Sequence, residues 1–279
     1  MDHVSWSEHT TLNKPIIITA FEGWNDAGDA ATTAASFLRD RWSAETLATL
    51  DPEIFFDFST TRPAIQLLDG AHREIRWPDT VFSASGVPGM DRDVVVMLGS
   101  EPQLRWRTFC EEVVAIAQKI DASMVITLGA LISDVAHSRP VEIYGVGYDT
   151  DVVRELDLEQ SNYEGPTGIV GVLHAACRDA GITSASLWAA VPGYVPSAPS
   201  PKAALALVER VLQMLRTDVV TTDLEIATAA YERQVDELVG EDEDTSAYVR
   251  QLEERHDDLD KGDDLVEEVE RFLRDSNPD

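Results

Sequence analysis

Basic residues are scarce in this chain. Its 279 residues hold 22 Lys and Arg against 51 Asp and Glu, a formal charge of −29. Cations on phosphates supply most of the affinity of nucleic-acid-binding proteins, so this balance excludes DNA and RNA as partners. Anionic membrane surfaces are excluded on the same ground. Cysteine is nearly absent. Cys110 and Cys177 each fall in an apolar helical pattern, which predicts reduced, buried thiols in a cytoplasmic protein rather than a disulfide. No run approaches the ~18 apolar residues of a membrane span. Met1-Asp2-His3-Val4-Ser5-Trp6 lacks a basic stretch ahead of an apolar segment, so no signal peptide is expected. The six histidines are too dispersed for structural-zinc spacing. No Walker motif, dinucleotide fingerprint or lipidation motif is present. Neither a metal nor a cofactor is therefore expected.

What is present begins with Pro15-Ile16-Ile17-Ile18-Thr19-Ala20, followed by Phe21-Glu22-Gly23-Trp24-Asn25-Asp26-Ala27-Gly28-Asp29. An apolar run ends in a loop with two glycines, and an alanine-rich helical stretch follows. That is the opening of an α/β domain: buried strand, tight turn, helix start. A loop that cradles phosphate offers bare amides and often a Lys. Here Glu22, Asp26 and Asp29 would repel an anion. They could hold a hard cation such as magnesium, but Asp26 and Asp29 also stand where a helix N-terminus favours negative charge, and capping is the stronger reading.

Further along, residues 27–40 suit a helix and residues 46–50 a strand. Residues 53–58 and 72–77 read as short extended pieces, with a short helix between them through Leu68. Asp93–Gly99 and Met124–Gly129 are strongly apolar strands, covered on both faces as in parallel or mixed sheets. Between them Trp106, Phe109, Cys110, Val113, Ile116, Ala117 and Ile120 mark an amphipathic helix. Val141–Tyr148 is a strand whose glycines suggest a bend. A helix follows Gly168, with Ile169, Val172, Leu173, Ala176 and Ala180 on one face, and Ser184–Val191 is a late strand. Ser200-Pro201 starts another helix, with Ser as cap and Pro at the first position.

The composition changes after Asp218. Thr222-Asp223-Leu224-Glu225 fits a capping box. Three narrow stripes follow: Leu224, Ala227, Tyr231, Val235 and Leu238; Tyr248, Leu252 and Leu259; Leu265, Val269, Phe272 and Leu273. Residues 232–279 carry 19 acidic and 6 basic side chains, nearly half of the chain's excess charge. The expected division is an α/β body over residues 1–218 and an acidic helical extension over residues 219–279. The extension is a solvated helical surface or a docking surface for a basic partner, and its narrow stripes need a partner surface for stability.

Candidate chemistry is thin. His137-Ser138-Arg139-Pro140 follows a buried strand, with Asp134 three residues earlier, but proximity in sequence is not triad geometry, and Ser138 lacks the Gly-x-Ser-x-Gly elbow. Glu101 and Arg105 follow another strand, at the sheet end where ligands bind; an ion pair or a helix cap is the simpler role for them. The candidate ligand-binding residues are Gly23, Asp26, Gly28, Glu101, Arg105, His137 and Arg139, with no catalytic set among them.

Phe21–Gly28, Leu98-Gly99-Ser100-Glu101-Pro102, His137–Pro140, Tyr163-Glu164-Gly165-Pro166-Thr167-Gly168 and Pro192-Gly193-Tyr194 together resemble the proteasome assembly chaperone 2 family, in its bacterial branch. The resemblance runs from about residue 14 to 217. It implies a three-layer α/β/α sandwich, similar to phosphorylase and peptidyl-tRNA hydrolase folds, and homo-oligomers, with a trimer as one form. It also implies a non-enzymatic scaffold or assembly factor with protein partners. Some relatives dock on the proteasome through a hydrophobic-Tyr-any tail; Ser276-Asn277-Pro278-Asp279 departs from that pattern. The alternative is a small-molecule hydrolase or ligase with its pocket near Gly23, Glu101 and His137.

Overall fold

The computed structural model describes residues 3–7, 11–68, 72–87, 89–147, 150–156, 158–160, 164–195 and 198–258. Strand β1 (Val4–Trp6) precedes β2 (Ile16–Glu22). After a 3-10 turn at Ala27–Asp29 come α1 (Ala30–Arg41) and β3 (Glu45–Leu50). A hairpin of β4 (Ala64–Leu68) and β5 (His72–Arg76) leads to β6 (Thr80–Ser85) and β7 (Val94–Ser100). Then follow α2 (Trp106–Lys119), β8 (Met124–Ser133), β9 (Ile143–Gly147), α3 (Thr150–Glu155) and β10 (Glu159–Gln160). The order closes with α4 (Ile169–Asp179), β11 (Ser184–Pro192), α5 (Pro201–Leu215), α6 (Thr222–Gly240) and a helix over residues 243–258, α7.

Nine strands form one sheet in the order β1-β3-β6-β7-β2-β8-β11-β9-β10. Its centre, β7-β2-β8-β11, is parallel, and β6 and β9 run antiparallel beside it. Side chains alternate across a strand, and both faces of the central strands are apolar. Ile16, Ile18 and Ala20 meet α1 and α5, whereas Ile17, Val95 and Val125 meet α2 and α4. The result is a three-layer α/β/α sandwich. Cys110 and Cys177 are free buried thiols in the second of these layers. Among the described residues no helix is long and apolar enough to cross a membrane.

Four local expectations change. Residues 64–68 are a strand, not a helix; five residues between Pro63 and Asp69-Gly70 are too few to offset helix nucleation, and Asp-Gly is a hairpin signal. Residues 52–54 form a 3-10 turn where an extended piece is expected, because the Asp51 carboxylate accepts from Glu53 N and Pro52 stands at the first position. The capping box at Thr222–Glu225 does not form: the helix cap is Thr221, whose hydroxyl donates to Glu225. The α6 stripe ends on Val239 rather than Leu238, which is exposed. Leu259 of the second stripe and the whole final stripe, Leu265, Val269, Phe272 and Leu273, lie outside the described residues, as does Tyr163.

α6 packs antiparallel along α5, with Arg41 at the end of α1 bonded to Asp223 near its start. α6 and α7 then cover Tyr194, Val195 and Ala198 with Tyr231, Val235, Val239 and Val249.

Candidate functional site

Ligands in α/β sheets bind at the carboxyl ends of the strands, where neighbouring strands lead away in opposite directions. Here that point lies between β2, which connects through α1 toward β3, and β8, which leads on to β11. The chain fills it with its own loop. Ala130 N donates to Asn25 O at 2.8 Å, and Asp26 forms an isolated parallel bridge with Ala130. Asn25 is 2% exposed.

Asp26 caps α1 from four residues before its start. One oxygen accepts from Ala31 N at 2.6 Å, and the other accepts from Thr32 N at 3.3 Å and from the Thr32 hydroxyl. The amides that would grip a phosphate are thereby occupied. Burial raises the Asp26 carboxyl to about 6, against the opposing pull of its bonds to Thr32 and Ala31. Gly28, at φ +60°, is where the loop meets the start of α5: its carbonyl accepts from Ser200 N at 2.7 Å, and a Cβ there would lie 3.0 Å from Ser200 Cβ and 3.1 Å from Ala198 O.

Glu101 serves a different helix from the one it precedes. Its Oε1 accepts from Ile169 N at 2.9 Å, at the start of α4, and from Asn25 Nδ2 at 3.1 Å. Gly168 makes room for this junction, since a Cβ would stand 2.8 Å from both Asn25 Nδ2 and Glu101 Oε1. Gly23 packs on Glu101 with space to spare. Arg105 takes left-handed backbone at the start of α2, and its exposed side chain makes no cap bond and no ion pair with Glu101.

His137 and Arg139 belong to a second cluster, joined to the first by no hydrogen bond among the described residues. The buried His137 ring accepts at Nδ1 from the Tyr194 hydroxyl at 2.7 Å and donates from Nε2 to Asp236 of α6 at 3.0 Å. The same Tyr194 oxygen accepts from His137 N at 2.7 Å, and burial pushes the phenol up to about 12, keeping it a donor. Lys202 Nζ donates to His137 O and to Glu232, both at 2.6 Å. Arg139 grips Asp257 of α7 with two bonds, at 2.7 and 2.9 Å, and Ser138 donates to Glu253. Tyr248 and Arg255 of α7 both bond Asp134. The loop after β8 is thus a receptor for the chain's own acidic helices. The cavity beside His137 holds about 10 Å³, room for about one water.

A larger opening lies on the other side of β2. A cleft of about 400 Å³ is lined by Glu22, Ser100, Arg39, Arg62, Arg76 and Trp77, under the β4–β5 hairpin. Sequence reasoning overlooked this cleft, along with Asn25, Tyr194, Lys202 and Asp236. Asn25 and Tyr194 stood inside motifs already singled out; Asp236 contacts a residue 99 positions away, and nothing in the local sequence marks it.

Fold and edge together define an α/β sandwich whose strand ends are occupied by its own loops and helices between β2 and β11 and open into a cleft between β2 and β7. The PAC2 family model matches residues 20–239. The chain belongs to the PAC2 family. It is similar to a Mycobacterium tuberculosis proteasome-assembly chaperone homologue, with 44% identity over 84% of this chain and 99% of that one and a TM-score of 0.76. A Streptomyces avermitilis PAC2 family protein shows the same identity and coverage, with a TM-score of 0.78. An archaeal proteasome activator from Pyrococcus furiosus shares the fold at 16% identity, with a TM-score of 0.68 over 85% of this chain and 99% of that one. Among curated proteins, none matches.

Proposed function

We propose that this chain is a non-enzymatic, assembly-chaperone-like protein that acts by protein contact and as a homo-oligomer, in the cytoplasm. One observation carries this reading: of the five charged candidates, Asp26, Glu101, His137 and Arg139 are spent on internal bonds, two capping helices and two holding the C-terminal helices, and the fifth, Arg105, is a permanently charged group with no base or nucleophile chemistry. None is left to attack or protonate a substrate. A 44% identical relative described as a proteasome-assembly chaperone homologue supports the same direction and makes proteasome subunits the first partner to try. Residues 1–218 are the body in this reading and residues 219–279 the extension, whose described part, residues 219–258, is the strap over half of the body's upper edge.

The test mixes the purified full chain with unassembled proteasome core subunits and follows the mixture by sedimentation. The expected result is a faster species containing both proteins, absent when the core particle is already assembled. Separate sedimentation of the two, together with turnover of an ester or nucleotide by the chain alone, overturns the reading. The second reading, a hydrolase or ligase, is favoured by the 400 Å³ cleft and its arginines. It predicts turnover that Arg76→Ala abolishes.

A further inference from the structure

Three elements build the cleft of about 400 Å³ on the β2–β7 side, and each contributes polar groups to it. Side chains alternate along a strand. Ile18 and Ala20 pack toward α1, so Glu22, the last residue of β2, faces the same way, beside its register partner Ser100 at the end of β7. α1 turns Ala31, Ala34, Ala35 and Leu38 into the core, while the neighbouring row of Thr32, Ser36 and Arg39, at helical spacing, lines the cleft. The stem of the β4–β5 hairpin supplies a further wall with Arg62, Arg76 and Trp77. The volume is that of a small-molecule site, and it lies at the carboxyl ends of parallel strands, where α/β sheets bind ligands.

The charges of the lining are sorted by wall. Acids outnumber bases more than two to one in this chain, so an arginine readily finds a carboxylate. Arg39 has one, with two nitrogens 2.8 Å from Asp40. Arg62 and Arg76 form no hydrogen bond or ion pair with any described residue. Their planar guanidiniums keep forked donors that match a carboxylate. At the strand ends, the Ser100 hydroxyl donates to Glu22 Oε2 at 2.7 Å and fixes that carboxylate. Glu22 Oε1 accepts nothing from the described residues and is open to an ammonium. A dianion such as a phosphate monoester would be repelled by Glu22 and by Asp79, the second acid of the lining. Trp77, 43% exposed and braced by Phe58 with ring centroids 4.9 Å apart, adds an aromatic surface. Unpaired arginines and an open carboxylate in one cavity call for a ligand with both charges, an amino acid or a short peptide, and the volume favours the peptide. We infer that the cleft binds a short peptide by its two free ends, the carboxylate on Arg62 and Arg76, the ammonium on Glu22, and a side chain against Trp77. This site goes beyond the assembly reading and does not depend on it.

The experiment is calorimetric titration of the full chain with the tripeptide Ala-Phe-Ala, free at both ends, and with its N-acetylated and C-amidated forms. The expected result is saturable binding of the free tripeptide, weakened about tenfold or more by either block. Arg62→Ala/Arg76→Ala should bind the free and amidated forms alike, and Glu22→Gln the free and acetylated forms alike. All three residues are exposed, and thermal melts check that the variants fold. No saturable heat from the free tripeptide at millimolar concentration overturns the inference. Variants that keep the wild-type dependence on both ends overturn it too, because the peptide would then sit elsewhere. Inorganic phosphate that binds more tightly than the tripeptide, and is lost in Arg62→Ala/Arg76→Ala, would make the cleft a simple anion site and overturn the peptide.

Discussion

The upper edge of the sheet has two halves, built in opposite ways. On the β8–β11 side, α6 and α7 lie over the loops, held by His137–Asp236, Lys202–Glu232 and Arg139–Asp257. On the β2–β7 side neither α6 nor α7 contributes to the lining of the edge. An open cleft sits there beneath a hairpin with apolar residues in water. The covered half uses charge to position a strap whose apolar stripe is narrow. The open half leaves apolar surface free and carries the least acidic stretch nearby. The covered half spends carboxylates on latches to the loop after β8, and the open half leaves Ile65, Leu67 and Ile75 exposed in a stretch where arginine outnumbers acid.

The boundary between the halves is the tightest part of the edge, and substitution there has the largest expected effect. Gly28→Ala places a side chain at φ +60° against Ser200 and the Ala198 carbonyl, and it should cost about 3 kcal/mol of unfolding free energy. Gly168→Ala, which crowds Asn25 and Glu101, should cost about 2 kcal/mol. Denaturant melts at pH 7 measure both. The exposed-face substitutions Ile65→Asp/Ile75→Asp should leave the same melts nearly unchanged.

The pH response comes next. Asp26, raised to about 6 by burial, binds its proton more tightly in the folded chain than in the unfolded one. Its contribution to stability is therefore present at low pH and is lost as pH rises through 6. Buried His174, held by Thr127 and Ser184 at 2.9 Å each, has the reverse sign. Burial lowers it to about 4, so its contribution is present above pH 6.5 and is lost as pH falls toward 4. Each effect is at most about 3 kcal/mol. The stability of Asp26→Asn relative to wild type should rise between pH 4 and 7, and that of His174→Gln should fall over the same interval. Melts at half-unit pH steps would show either slope, and a flat difference would contradict the burial argument for that residue.

The smallest effect belongs to the strap itself. Arg139→Ala removes both bonds to Asp257, and amide exchange over residues 243–258 should quicken about two- to fivefold, as should exchange of the wild type in high salt. Unchanged exchange in both would mean that Val235, Val239, Val249 and Leu252 hold the strap without help from charge.

Much of the body was legible in the sequence because its strands are apolar on both faces and its helices keep a 3.6-residue rhythm. Ser200-Pro201 gave the start of α5 outright, with the Ser200 hydroxyl oxygen accepting from Ala203 N. Strands β1, β6 and β10 were missed, being short or only half apolar. The hairpin was misread because Ala64, Ile65, Leu67 and Leu68 fit a helical spacing as well as a strand, and Asp69-Gly70 was not given its weight as a turn. The capping role of Asp26 was readable from helix electrostatics. Glu101 reaching across to α4, and His137 reaching α6, depend on contacts 68 and 99 positions apart, which no local pattern encodes.

The account turns on the start of α1, where an internal carboxylate takes the place a phosphate would fill. The most direct test is to titrate the full chain with inorganic phosphate and then with ATP and magnesium while following the amide resonances of Ala31 and Thr32. Resonances that stay in place to millimolar ligand agree with amides already bonded to Asp26. Saturable shifts at those two amides, lost in a variant with the loop blocked by Gly28→Ala, would show a phosphate site where we describe a sealed cap.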